Sequence, residues 1–168
     1  MIHVCSLARL HTTIEETGAR HVVTLLGVED EVRLPDAVPA GNHLRLHVHD
    51  ITGPMDGYVS PDVEHVEQLL TFVRGWRRDA PLVIHCYAGI SRSTAAAFTA
   101  VCALNPARDE QAIAQALRRA SHTAYPNPRI VRLADQVLAR HGRMVAAVEA
   151  IGRGSMAAEG VPFRLDLE

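Results

Sequence analysis

The 168 residues are 48% apolar and 21% charged, with a formal charge of −2, which fits one ordinary globular domain. No apolar run reaches the ~18 residues of a membrane span, and the N-terminus lacks the basic start and apolar core of a secretory signal; a cytoplasmic protein with no membrane partner is expected. The near-neutral charge and the lack of a basic cluster argue against a nucleic-acid partner, and all 17 basic residues are Arg, which excludes a nucleotide loop built on Lys.

In chain order, the β-branched apolar runs 2–7 and 21–26 predict buried strands. Between them Leu10 and Ile14 stand at helical spacing, and Gly18 is a suitable C-cap. Strand, helix and strand in succession make parallel neighbours. Residues 33–42, with two Pro and a Gly, read as loop. Residues 43–51 alternate, with Leu44, Leu46 and Val48 on one face and His43, Arg45, His47 and His49 on the other, as in a strand with one buried face. A turn-rich stretch over 52–61 leads to a helix with Ser60 as N-cap and Pro61 in its first turn. Its apolar stripe runs through Val63, Val66, Leu69, Leu70, Val73 and Trp76. Strand 82–86 follows, then an alanine-rich helix and a break at Asn105-Pro106. A further helix covers 107–122, a loop 124–128, and a last helix 129–152 with Gly142 as a candidate break. Residues 153–168 read as an irregular tail. The fold class is α/β, with one mostly parallel sheet flanked by helices.

The three cysteines, Cys5, Cys86 and Cys102, are odd in number and form no C-x-x-C pair, so neither a disulfide framework nor a zinc ribbon is indicated. Cys86 ends a strand, where ligands of such sheets collect. The five residues after it, Tyr87, Ala88, Gly89, Ile90 and Ser91, hold little bulk. Gly89 permits positive φ, and a loop curling into a helix N-terminus turns its N–H groups inward to form a nest for an anion. Arg92 adds a planar fork suited to two phosphate oxygens. The same positive surroundings stabilise a thiolate on Cys86. Ser91 and Ser93 can donate hydrogen bonds to that sulfur or stiffen the loop. A buried structural cysteine would explain Cys86 alone, but not Gly89, Arg92 and Ser93 with it.

The stretch "HCYAGISRS" resembles the His-Cys-x5-Arg-Ser/Thr signature of the protein tyrosine phosphatase superfamily, and its ending is most similar to the dual-specificity branch. "GARHVVTLLG" and "YPNPRIVRLADQVL" resemble an early strand and the segment opening the last helix of that family. No Trp-Pro-Asp occurs, which points away from the tyrosine-specific branch. The resemblance implies a phosphatase domain over 1–152. It implies Cys86 as nucleophile, Arg92 with the loop residues 87–91 as phosphate binders, Ser93 assisting the leaving sulfur, and His85 supporting from behind. No metal or organic cofactor is implied. Phosphorylated proteins or small phosphomonoesters are the expected substrates.

The leaving group needs a proton and the attacking water a base. The resemblance implies an Asp some thirty-odd residues before the cysteine; Asp50 is favoured, Asp56 is the rival, and Asp62 is better read as a first-turn helix residue. Two other readings differ in class. His47 and His49 form a His-x-His pair of the kind that can hold zinc, but no second ligand cluster accompanies it. The cradle could also bind phosphorylated partners without turnover, or take an inositol phosphate. "GRGSMA" mimics a dinucleotide fingerprint but follows a helix. Cys5 or Cys102 could trap an oxidised Cys86 as a disulfide.

Overall fold

Leu82–Cys86 (β4) is buried along its whole length, because it runs at the centre of a five-stranded sheet. The computed structural model describes residues 1–168. The other strands are Ile2–Ser6 (β1), His21–Leu26 (β2), His43–His47 (β3) and Phe163–Leu165 (β5), in spatial order β3-β2-β4-β1-β5. β1, β2, β3 and β4 pair in parallel, and β5 joins β1 antiparallel. The mostly parallel α/β sheet expected from the sequence is therefore present.

Helix Leu10–Thr17 (α1) covers one face, packing Leu10 and Ile14 against Cys5, Val22 and Val83. The larger core lies on the other face. There sit Val63–Gly75 (α2), Arg92–Leu104 (α3), Glu110–Ala120 (α4), Pro128–Val137 (α5) and Arg143–Ile151 (α6). The alanines of α3 have a clear reason: the helix is buried from Arg92 through Cys102 and packs against α2, α4 and α5, an approach that larger side chains would block.

Several boundaries differ from the sequence reading. α1 does end at Gly18, whose φ of 68° and N–H bond to the Ile14 carbonyl make a left-handed cap. The N-cap of α2 is Asp62, not Ser60: its carboxylate accepts the Glu64 N–H, and the His65 ring accepts the Asp62 N–H, a reciprocal box that starts the helix later. β3 stops at His47, because His49 exchanges hydrogen bonds with Val59 and closes the loop between them: Val59 O accepts the His49 N–H at 2.8 Å, and His49 Nδ1 accepts the Val59 N–H at 2.8 Å. The last helix is broken, as Gly142 allowed. Ala139, His141 and Gly142 all take positive φ, and the buried Asp135 carboxylate accepts the N–H groups of Gly142 and Met144 to start α6.

The tail is the main correction. The sequence predicts an irregular tail over 153–168, yet Phe163–Leu165 forms β5 on the edge of β1 and buries Leu165. A three-residue strand is too short for alternation to register; it exists because β1 leaves an unpaired edge to be covered.

Candidate active site

The loop between β4 and α3 is held from outside by its carbonyl groups. Tyr87 O accepts the Leu7 N–H, Ala88 O the Gly160 N–H, Ile90 O the Tyr125 N–H and Ser91 O the Asn127 N–H, all at 2.9 to 3.2 Å. The Thr94 hydroxyl adds bonds to the carbonyls of Ile90, at 2.5 Å, and Ser91, at 3.0 Å. With the carbonyls pinned outward, the amides face inward: Gly89 donates its N–H to Cys86 Sγ at 3.3 Å, and the N–H groups of Ala88, Ile90 and Ser91 donate to no protein atom. Successive inward amides form an anion nest. Gly89 makes the turn, with φ of 72°, and a Cβ there would lie 2.8 Å from the backbone of Cys5 and Ser6.

Ser91 occupies the N-cap position of α3 but gives its N–H groups no side-chain cap. Its hydroxyl goes instead to Asp50 Oδ1 at 2.6 Å. The helix thus presents uncapped donors toward the loop.

Cys86 Sγ sits 3.1 Å from the Ser93 hydroxyl. Arg92 is buried and spans away from its helix to donate Nη1–H to Val48 O at 2.9 Å. Its Nε is buried and makes no bond within the protein. A guanidinium anchored at one nitrogen and unpartnered at another is oriented to receive an external acceptor.

Asp50, Cys86, Arg92, Tyr125 and Asn127 all line one cavity of about 490 Å³. Asp50 Oδ1 accepts bonds from Ser91 and from Asn127 Nδ2, the latter at 2.9 Å; Oδ2 has no protein partner. Asp56 is exposed and does not line the cavity. Asn127 does two things at once, because its Oδ1 also accepts the Arg129 and Ile130 N–H groups that start α5. Asn127 is a site residue that carries no site motif in the sequence, although its place before Pro128 at a helix start is a visible N-cap signal.

Behind the loop, His85 is fully buried and belongs to a chain of hydrogen bonds. His85 Nδ1 lies 3.3 Å from the Cys86 carbonyl, His85 Nε2 2.7 Å from Thr24 Oγ1, and His43 Nε2 2.8 Å from the same hydroxyl. One assignment satisfies all three contacts. His43 Nε2–H donates to Thr24, Thr24 O–H donates to His85 Nε2, and His85 Nδ1–H faces the carbonyl. Burial, reinforced by the charges of Arg45 and Arg92, pushes His85 down to about 4. The unfolded chain therefore binds this proton more readily, so stability falls as pH drops from the ordinary histidine range near 6.5 toward 4. Denaturant titrations should show His85 contributing roughly 3 kcal/mol of acid destabilisation across that window, and His85→Gln should flatten the slope by that share. An unchanged slope would mean His85 is not held neutral.

The His-x-His pair does not converge. His47 is exposed, while His49 is buried with Nε2 at 3.0 Å from Glu29 and Nδ1 bonded to Val59. The two other cysteines are poorly placed to trap Cys86. Register pairs Cys5 with His85 and Ser6 with Cys86, so Cys5 and Cys86 point to opposite faces of the sheet. Cys102 lies ten residues beyond Arg92 on α3, about 15 Å along the helix. Burial pushes both thiols up to about 12.

The sequence model described as protein-tyrosine phosphatase matches residues 19–127. The chain belongs to that family. No curated protein sequence matches it. Among solved structures, DUSP15 is similar over 89% of this phosphatase-family chain and 90% of its own, at 18% identity and a TM-score of 0.64. Human DUSP28 is similar over 83% and 89%, at 18% identity and 0.63. PTPMT1, solved in complex with PI(5)P, is similar over 83% and 91%, at 14% identity and 0.64. The likeness covers most of the chain, and Cys86 lies at the end of β4, in the loop that leads into α3.

Proposed function

We propose that this chain is a cysteine-dependent phosphatase that hydrolyses phosphomonoesters, chiefly phosphotyrosine in proteins, through a phosphocysteine intermediate. One observation carries the reading: Cys86 Sγ lies at the floor of a loop whose carbonyls are pinned outward, beside a buried Arg92 whose Nε has no protein partner. The amides and the guanidinium would take the phosphoryl oxygens, in the ground state and, more tightly, as charge spreads over them in transfer.

In the first step the Cys86 thiolate attacks phosphorus, the bond to the leaving oxygen breaks, and Asp50 gives that oxygen its proton from Oδ2. In the second, Asp50 as carboxylate takes a proton from water while the water oxygen attacks phosphorus. The S–P bond breaks, inorganic phosphate leaves, and the thiolate re-forms with the Ser93 hydroxyl donating to it. Every proton given in the first step is recovered in the second.

Substrate preference is argued from the lining. Arg92 is the one basic residue on the Cys86 cavity, and seven of its thirteen lining residues are hydrophobic. That suits a single phosphate on an apolar or aromatic carrier better than a multiply phosphorylated inositol. The alternative of a phosphate-binding module without turnover keeps the cradle but needs no acid.

Separate Asp50→Asn and Asp56→Asn variants test the assignment. Asp50→Asn should lower kcat by about 10² to 10³ on phenyl phosphate, and less on p-nitrophenyl phosphate, whose leaving group needs less protonation. Asp56→Asn should leave both rates within a factor of about two. Loss confined to Asp56→Asn would reverse the assignment, and no turnover by folded, reduced wild type would favour the binding module.

A further inference from the structure

The segment after α6 is built into the rim of the phosphate loop. Ser155 N–H donates to His122 O at 2.8 Å, and the Arg153 guanidinium stacks 5.1 Å from the centre of the Tyr125 ring. Ser6 Oγ donates to Glu159 Oε1 at 2.5 Å, and Gly160 N–H donates to Ala88 O at 2.9 Å. The approach at Gly160 is so close that a Cβ there would lie 2.8 Å from the Gly89 carbonyl oxygen. β5 then ties the end of the segment to β1.

Held at both ends, the segment sets Ala157 and Ala158 into the wall of the Cys86 cavity. On the far side of Ala158 lies a second cavity, of about 360 Å³, lined by Leu7, Ala8, Tyr87, Ala88, Ala158 and Glu159. Five of those six are hydrophobic, and three, Tyr87, Ala88 and Ala158, also line the Cys86 cavity. A group in the second cavity is thus next to whatever carries the phosphate in the first.

We propose that this second cavity is a substrate subsite that takes the apolar side chain flanking the phosphotyrosine of a peptide. The inference rests on the phosphatase reading of the Cys86 loop and adds a sequence preference to it. Continuity with the phosphate cavity fixes the occupant as part of the same substrate. The apolar lining selects an aliphatic neighbour. Glu159 at the rim disfavours an acidic neighbour and, equally, the anionic face of a phosphoinositide membrane.

The test compares phosphotyrosine pentapeptides carrying Leu, Gly or Glu beside the phosphotyrosine, on its N-terminal and C-terminal sides in turn. At one of the two positions Leu should raise kcat/KM about tenfold over Gly, the effect of a partly buried Leu side chain, and Glu should fall below Gly. Ala8→Trp fills the second cavity from an exposed turn that does not line the first; in this variant the Leu advantage should vanish. The same ratios should appear as dissociation constants in Cys86→Ser, which needs no turnover. If those ratios hold there while wild type hydrolyses nothing, the catalytic reading fails and the subsite stands. No Leu preference at either position would overturn the subsite. So would a preference that survives Ala8→Trp, or stronger competition by phosphatidylinositol monophosphate vesicles than by every peptide.

Discussion

Cys86→Ser should abolish turnover of p-nitrophenyl phosphate, lowering kcat by at least about 10⁴, while leaving the fold and the binding of inorganic phosphate in place. The reason lies in what each atom does. A serine hydroxyl stays protonated where a thiol ionises, and the loop supplies no base to deprotonate it: the contacts of Cys86 Sγ are the Gly89 N–H and the Ser93 hydroxyl. The phosphate cradle, by contrast, is made of backbone amides held by the carbonyl contacts to Leu7, Gly160, Tyr125 and Asn127, none of which involves the sulfur. Binding and chemistry should therefore separate cleanly in this variant. Isothermal titration with inorganic phosphate beside a rate assay with chelator present reads both. Turnover surviving the change would move the nucleophile elsewhere.

Arg92→Lys should lower kcat/KM by about 10³, although the charge is kept. Arg92 is tethered to Val48 O through Nη1, at 2.9 Å, and its Nε remains unpartnered in a buried setting. A lysine has one nitrogen to serve both places: bonded to Val48 O it cannot reach the phosphoryl group, and aimed at the phosphoryl group it leaves that carbonyl without its donor. The loss should fall more on kcat than on KM, because the fork matches the spread of charge in the transition state more closely than in the ground state. A loss carried wholly by KM would assign Arg92 to substrate binding alone.

The site was legible in the sequence where its chemistry is local. Cys86, Gly89, Arg92 and Ser93 fall within eight consecutive positions, and a strand before them with an alanine-rich helix after them implied the loop. Sheet and helices followed from local pattern: β2 is a short β-branched apolar run buried past its first residue, α2 carries one apolar stripe, and α3 is an alanine-rich stretch buried through most of its length. Other parts depend on contacts distant in the chain. Spacing alone left Asp50 and Asp56 both open; what sets Asp50 on the cavity is a hydroxyl 41 residues away and an amide 77 residues away. The Thr24–His85 contact spans 61 residues and the Ser6–Glu159 contact 153, so neither leaves a local pattern. The tail segment "GSMAAEG" has no period of its own, and it is ordered by what lies beneath it.

Catalysis through Cys86 requires a covalent bond between phosphorus and its sulfur. Acid quenching of wild type during turnover of a phosphotyrosine peptide, followed by proteolysis and mass spectrometry of the fragments, tests it directly. One added phosphoryl group is expected on the fragment containing Cys86; in Asp50→Asn it should accumulate further with p-nitrophenyl phosphate, whose leaving group needs little protonation, so that hydrolysis of the intermediate is the step that slows. A phosphoryl group on any other residue, or turnover with no phosphorylated fragment in wild type or Asp50→Asn, would contradict it.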